Sequence, residues 1–154
     1  MRKVKIITIC TSASFYRRVW KIQRKLEKLG YKVLVPHTAK IMNRTNNYKV
    51  GDYKVWYRNK KMYKRKAFLM RKHFREVAKG DAILVLNFQK KGTKGYIGGN
   101  VLVEMGLAFY LGKAIYLLNP ISKKSALYEE VMGMLPIVLN GKLDRLTQIS
   151  RQRN

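Results

Sequence analysis

Residues 81–120, DAILVLNFQKKGTKGYIGGNVLVEMGLAFYLGKAIYLLNP, decide the fold. Positions 82–86 and 114–118 are short apolar runs, and continuous runs rather than alternating ones mark strands buried on both faces. Between them lie a glycine-punctuated loop and a helical stretch. There Val101, Leu102, Val103, Met105, Leu107, Phe109, Tyr110 and Leu111 fall on every side of a wheel, which predicts a helix covered all round. That helix holds one carboxylate, Glu104, and a carboxylate in such a setting needs a partner or a job.

The same grammar extends outward. Residues 4–10 read as a β-branched strand, "TSAS" as a turn, 15–29 as a basic amphipathic helix stopped by Gly30, and 31–35 as a strand ended by Pro36. From 37 to 63 the apolar periodicity vanishes into a segment full of cations and aromatics, read as an insertion or lid. A helix resumes over 62–78 with Phe68, Leu69, Phe74 and Val77 as its apolar side. After the quoted stretch come a helix over 125–133, a strand over 137–139 and a frayed tail, 151–154. Strands alternating with helices predict an α/β fold: a flavodoxin/Rossmann-like three-layer sandwich whose five-stranded parallel sheet has the order 2-1-3-4-5. At 154 residues one domain is expected, spanning 1–150 and interrupted only by the insertion.

Sheets of this kind bind ligands beyond the carboxyl ends of their strands, where the strand order reverses. The residues expected there are Thr11, Ser12 and Ser14 after the first strand, Asn87 after the third, Gly98, Gly99 and Asn100 at the next helix start, and Asn119 after the fourth. Glu104 lies one turn beyond Asn100, and its side chain, tilted toward the helix N-terminus, points into the same crevice. Each feature also has a plain structural reading. Ser and Thr cap helices, glycines precede helices in many loops, and Glu104 fits a buried salt bridge as well as a reaction. A capping box fits it poorly, because with Asn100 as cap the third helical position is Val103.

Charge narrows the partners. There are 34 Lys+Arg against 8 Asp+Glu, a formal net charge of +26, and such a field favours nucleic acid, nucleotides or an anionic surface. The single Cys10 excludes an internal disulfide framework, and no Cys/His spacing matches a zinc motif, so no metal is indicated. "MRKVKIITIC" is too short in its apolar run for a signal peptide, and no run of some eighteen apolar residues is present. A soluble, cytoplasmic protein with no membrane partner is expected.

Taken together, "TICTSASFYRRVWKIQRKLEKLGYKVLVP", "DAILVLN" and "EMGLAFYLGKAIYLL" resemble the nucleoside 2-deoxyribosyltransferase superfamily, which includes 2'-deoxynucleoside 5'-monophosphate N-glycosidases. The resemblance covers most of the chain except the insertion and the tail. It implies that Glu104 is the nucleophile toward the anomeric carbon of deoxyribose, that no metal or organic cofactor takes part, and that the protein forms a homo-oligomer whose subunits complete each other's sites. It also places an aromatic near the substrate, matched by Tyr16 or by Phe15 beside it. Two positions depart from the family's pattern: Gly98 stands where the transferases commonly carry an aspartate that handles the base, and His73 where members often carry another that faces the base or sugar. His73 can donate a proton to a leaving base near neutral pH, or it is a solvated residue in "RKHFRE". Asp81 is expected at the far end of its strand, in a structural role.

Two other functions fit the sequence. One is a nucleic-acid-binding protein on the same scaffold, without catalysis, using the basic aromatic segment 37–75, in which Tyr48, Tyr53, Trp56, Tyr57 and Tyr63 are interleaved with lysines and arginines. The other is an N-glycosidase acting on NAD or ribonucleotides.

Overall fold

In the computed structural model, which describes residues 3–152, the strands β1 (Ile6–Cys10), β2 (Lys32–Leu34), β3 (Ala82–Val85), β4 (Ala114–Leu117) and β5 (Ile137–Val138) form one all-parallel sheet in the order 2-1-3-4-5. The helices are α1 (Tyr16–Lys28), α2 (His37–Thr45), α3 (Val50–Tyr53), α4 (Tyr63–Lys79), α5 (Gly99–Tyr110), α6 (Tyr128–Gly133) and α7 (Arg145–Gln152). The expected α/β three-layer architecture and strand order are those observed.

Strand alternation builds the layers. Ile7, Ile9, Leu84 and Tyr116 point to one face, where they pack with Val19 and Leu26 of α1 and Leu146 of α7. Cys10, Ile83, Val85, Ile115 and Leu117 point to the other, against Val77 of α4, Val101, Met105 and Ala108 of α5, and Val131 of α6. Cys10 pairs with Val85, and Val85 with Leu117, so three strands end side by side at the crevice. At the opposite end Asp81 accepts hydrogen bonds from the Lys5 and Ile6 amides at 2.9 Å, tying β3 to β1 in the structural role expected of it.

Four expectations need correction. The insertion is largely helical. It holds α2, α3 and two 3-10 turns at Val55–Tyr57 and Lys60–Met62, because Ala39 and Met42, one turn apart, are fully buried and Trp56 nearly so. In α4 the inward line is His73 and Val77, whereas Phe68 is about half exposed with Arg65 and Lys72 over its ring. Helix α5 is not covered all round: Val103, Phe109, Tyr110 and Leu111 remain exposed on its outer side. Helix α7 was not anticipated, and its backbone runs through Gln152, so the expected frayed tail is helical at 151–152, while 153–154 lie outside the described residues. Among the described residues no helix is long and apolar enough to cross a membrane.

Candidate active site

Cys10 is the last residue of β1, and the period of two turns its side chain toward the α4/α5 layer. On α4 the inward stripe meets it with His73, whose Nε2 lies 3.7 Å from Cys10 Sγ. From α5 comes Glu104, with Oε2 3.6 Å from the same Nε2. All three side chains are buried. His73 is therefore a residue of the site and not a solvated one.

Helix α5 is capped by Gly98, not Asn100, in extended backbone without a side-chain cap bond. Asn100 then sits in the first turn, one turn ahead of Glu104, and its Nδ2 donates to Glu104 Oε1 at 2.8 Å. Behind it Lys66 of α4 donates from Nζ to Asn100 Oδ1 at 2.7 Å. Lys66 in turn lies 5.5 Å from the ring centre of the buried Trp56. The insertion thus reaches the carboxylate through three residues. Among the described residues Glu104 Oε2 makes no hydrogen bond of ordinary geometry: His73 Nε2 at 3.6 Å is too far for one, and the Cys10 thiol is a neighbour that favours the charged carboxylate without a well-formed bond to this oxygen.

Burial dominates the ionisation of this cluster. Glu104 is pushed up to about 8 by desolvation, with the Cys10 thiol, the Lys66 ammonium and the Asn100 amide pulling it part-way back. Desolvation holds His73 down at about 4, with the Ile9 backbone opposing the shift, so its imidazole is neutral near pH 7. The Cys10 thiol is raised well above its ordinary value by burial and then by the charge of Glu104. The Tyr16 phenol is raised by burial, Glu104 and Cys10, in that order, and remains a neutral donor. Lys66 is lowered by desolvation and by Lys54, while Glu104 opposes the shift.

A cavity of about 400 Å³ opens above Glu104, within the range that holds a small organic ligand. Of the residues expected from sequence, Thr11, Ser12, Tyr16, His73, Gly98, Gly99, Asn100 and Glu104 line it. Thr11 lines it with its hydroxyl already donated to the Leu86 carbonyl at 2.7 Å. Of the two neighbouring aromatics, Tyr16 faces the cavity and Phe15 belongs to the core, edge-on to Phe88.

Three expected residues stand elsewhere. Ser14 is exposed, beside a separate depression with Arg17, Arg18 and Asp52. Asn87 and Asn119 are absorbed in a mutual lock: Asn87 Nδ2 donates to the Asn119 carbonyl at 2.6 Å, its Oδ1 accepts from the Asn119 amide at 2.9 Å, and Asn119 Nδ2 returns to the Asn87 carbonyl at 3.3 Å. Their strand ends point at the crevice, but the two amides satisfy each other.

Sequence reasoning missed Cys10, Lys66 and the insertion's contribution of Lys54, Trp56 and Tyr57 to the cavity wall. Cys10 was legible in principle, since the parity of β1 puts residues 8 and 10 on one face. Lys66 lies seven residues before His73, two helical turns along the same stripe. The aromatics of the insertion do not form one stacking surface. Tyr48 is held by Trp20, Asn43 and Arg17, Tyr53 bonds the Asn47 carbonyl, Trp56 is buried, and Tyr57 and Tyr63 are exposed.

No protein-family profile matches this chain, and no curated protein is significantly similar to it.

Proposed function

We propose that the protein cleaves or exchanges the N-glycosidic bond of a 2'-deoxynucleoside or its 5'-monophosphate through an ester on Glu104. The observation that carries this reading is a buried carboxylate at the floor of a cavity, with one oxygen anchored by Asn100 and the other without a hydrogen bond. An anchored carboxylate with one free oxygen is built for attack along a fixed line. In the first step Oε2 bonds to the anomeric carbon as the carbon–nitrogen bond breaks, and its electron pair leaves with the base, which takes a proton from water. Water or a second base then attacks the same carbon and releases the carboxylate. Desolvation favours this exchange, because the carboxylate loses its charge as the ester forms. Lys66, acting through Asn100, is a positioning residue that keeps part of the Glu104 population ionised.

The neutral, buried His73 makes a better packing and orienting partner for Glu104 than a proton donor to the base. Lys54, Lys66 and Lys90 at the cavity wall favour a phosphorylated substrate. The exposed Val103, Phe109 and Tyr110 on α5 and Leu111 just past its end, with Met132 on α6 and Leu135 shortly after it, support a homo-oligomer that backs the helix carrying Glu104. Light scattering at several protein concentrations checks that assembly.

The test is base release, followed by chromatography, from matched ribo and deoxyribo substrates with and without a 5'-phosphate and with and without a second free base. Release by the wild type from deoxyribo substrates, abolished in Glu104→Ala, is the expected result. Exchange into the added base marks a transferase. Release from NAD or ribonucleotides alone moves the substrate class. Silence of wild type and variant on every substrate, with tight salt-dependent binding to oligonucleotides, overturns the reading in favour of a nucleic-acid-binding protein.

A further inference from the structure

We propose that Cys10, His73 and Glu104 form a binding site for a divalent transition-metal ion of the zinc class, whose occupancy takes the free oxygen of Glu104 out of reach of a substrate. The three residues offer a sulfur, a nitrogen and an oxygen, and those ligand atoms all lie within 4.8 Å of one another. Zinc bonds of about 2.3 Å to sulfur and about 2.0–2.2 Å to nitrogen and oxygen, arranged tetrahedrally, set ligand-to-ligand edges of roughly 3.4–3.6 Å. Two of the three edges lie close to these values: 3.7 Å from Cys10 Sγ to His73 Nε2, a length also ordinary for a hydrogen bond to sulfur, and 3.6 Å from that nitrogen to Glu104 Oε2; the third, between sulfur and carboxylate oxygen, is within 4.8 Å, and the ion has to draw that pair closer.

A second observation points the same way. Glu104 Oε2 is buried without a hydrogen-bond partner, while Oε1 is held by Asn100. Most buried polar atoms are satisfied, and an exception of this kind asks for a missing partner. Asn100 also supplies what a metal-ligating carboxylate ordinarily has, a hydrogen bond that fixes its orientation. The donors come from β1, α4 and α5, so the packed sheet holds their spacing. His73 and Glu104 both line the cavity, which leaves a fourth position for water.

The donor set selects the ion. Thiolate and imidazole favour zinc, cobalt or copper over magnesium and calcium, which prefer oxygen. Binding displaces to solvent the thiol proton of Cys10 and the carboxyl proton wherever Glu104 holds one, and the resulting thiolate and carboxylate together balance the two positive charges of the ion. The chain's net charge of +26 opposes cations at long range, so only an ion with strong bonds to sulfur and nitrogen is held. The ligands stand at 10, 73 and 104, too far apart in the chain for a spacing motif.

The effect on catalysis rests on the glycosidase reading, whereas the binding does not. Full-length protein stripped with a chelator is titrated with Zn2+ against a chromophoric competitor, and separately with Co2+, with Mg2+ as the control. One Zn2+ per chain is expected, with a thiolate-to-metal absorption in the Co2+ form. Cys10→Ser and His73→Gln should each weaken Zn2+ at least as much as the roughly 10–100-fold that loss of an outer partner causes. The absorption is read on the wild type, so it holds even if a variant folds poorly. Absence of stoichiometric Zn2+ binding, or a Co2+ form without the thiolate band, overturns the site. In the base-release assay, equimolar Zn2+ should stop turnover and chelator restore it. Turnover unchanged by bound Zn2+ overturns the claim that the ion occupies Glu104. Binding by a protein that releases no base leaves the metal site standing and removes the glycosidase reading.

Discussion

At the scale of the residue, Glu104 is a destabilising group. Its carboxyl titrates near 8 in the folded chain against 4.5 for an ordinary glutamate, so the folded form holds a proton that the unfolded form releases. Its contribution to stability is complete below about pH 4.5 and is lost as pH rises through 8. His73 runs the other way, losing stability as pH falls from 6.5 toward 4, so above 6.5 Glu104 acts without it. Urea unfolding at pH 7 and pH 8.5 should show Glu104→Gln more stable than wild type, by a margin on the order of a few kcal/mol that widens with pH. For the reaction the sign is opposite, since only the ionised carboxylate attacks. With chelator present, kcat/KM should rise with pH and level off above about 8. Lys66→Met should move that midpoint upward and Lys66→Arg restore it. A midpoint identical in Lys66→Met contradicts the positioning role.

At the scale of the element, the two asparagines after β3 and β4 separate architecture from chemistry. Asn87→Ala removes both bonds from its side chain to the Asn119 backbone and should cost about 1–3 kcal/mol in denaturant unfolding. Because neither residue lines the cavity, KM in the folded fraction should stay at the wild-type value. Their position after strands made them look like ligand-facing residues; only the structure shows that their amides are spent on each other. The apolar strands and the glycine stops, such as Gly30 at φ 89 after α1, were legible because backbone and burial dictate them locally. The helices of the insertion were not, since α2 has only Ala39, Ile41 and Met42 as apolar residues among polar ones, and Ala39 and Met42 become a buried pair only once α1 and α4 are beside them. His73 was ambiguous for the same reason, a polar residue on an inward face set by tertiary packing.

At the scale of the whole molecule, the sheet order brings the ends of β1 and β3 under α4 and α5, and this converts residues 10, 66, 73, 100 and 104 into one cluster. Sequence pattern carried the topology, because parallel crossovers and strand burial leave few arrangements, and it carried Glu104 as the odd residue in an apolar helix. The distances within the cluster had no sequence signal. The net charge of +26 acts on the same scale. Raising salt from 50 to 300 mM should increase KM for deoxynucleoside 5'-monophosphates severalfold while leaving KM for the free nucleosides nearly constant. Equal salt dependence for both would place the field elsewhere than at the cavity.

The measurement that bears most directly on the central claim is the intact mass of the protein, quenched in acid during turnover of a deoxynucleoside 5'-monophosphate and followed by peptide mapping. A mass increase equal to the deoxyribosyl phosphate, on the peptide that contains Glu104 and absent in Glu104→Gln, is the predicted result. Base release by Glu104→Gln at the wild-type rate, or an adduct mapped to another residue, contradicts the account.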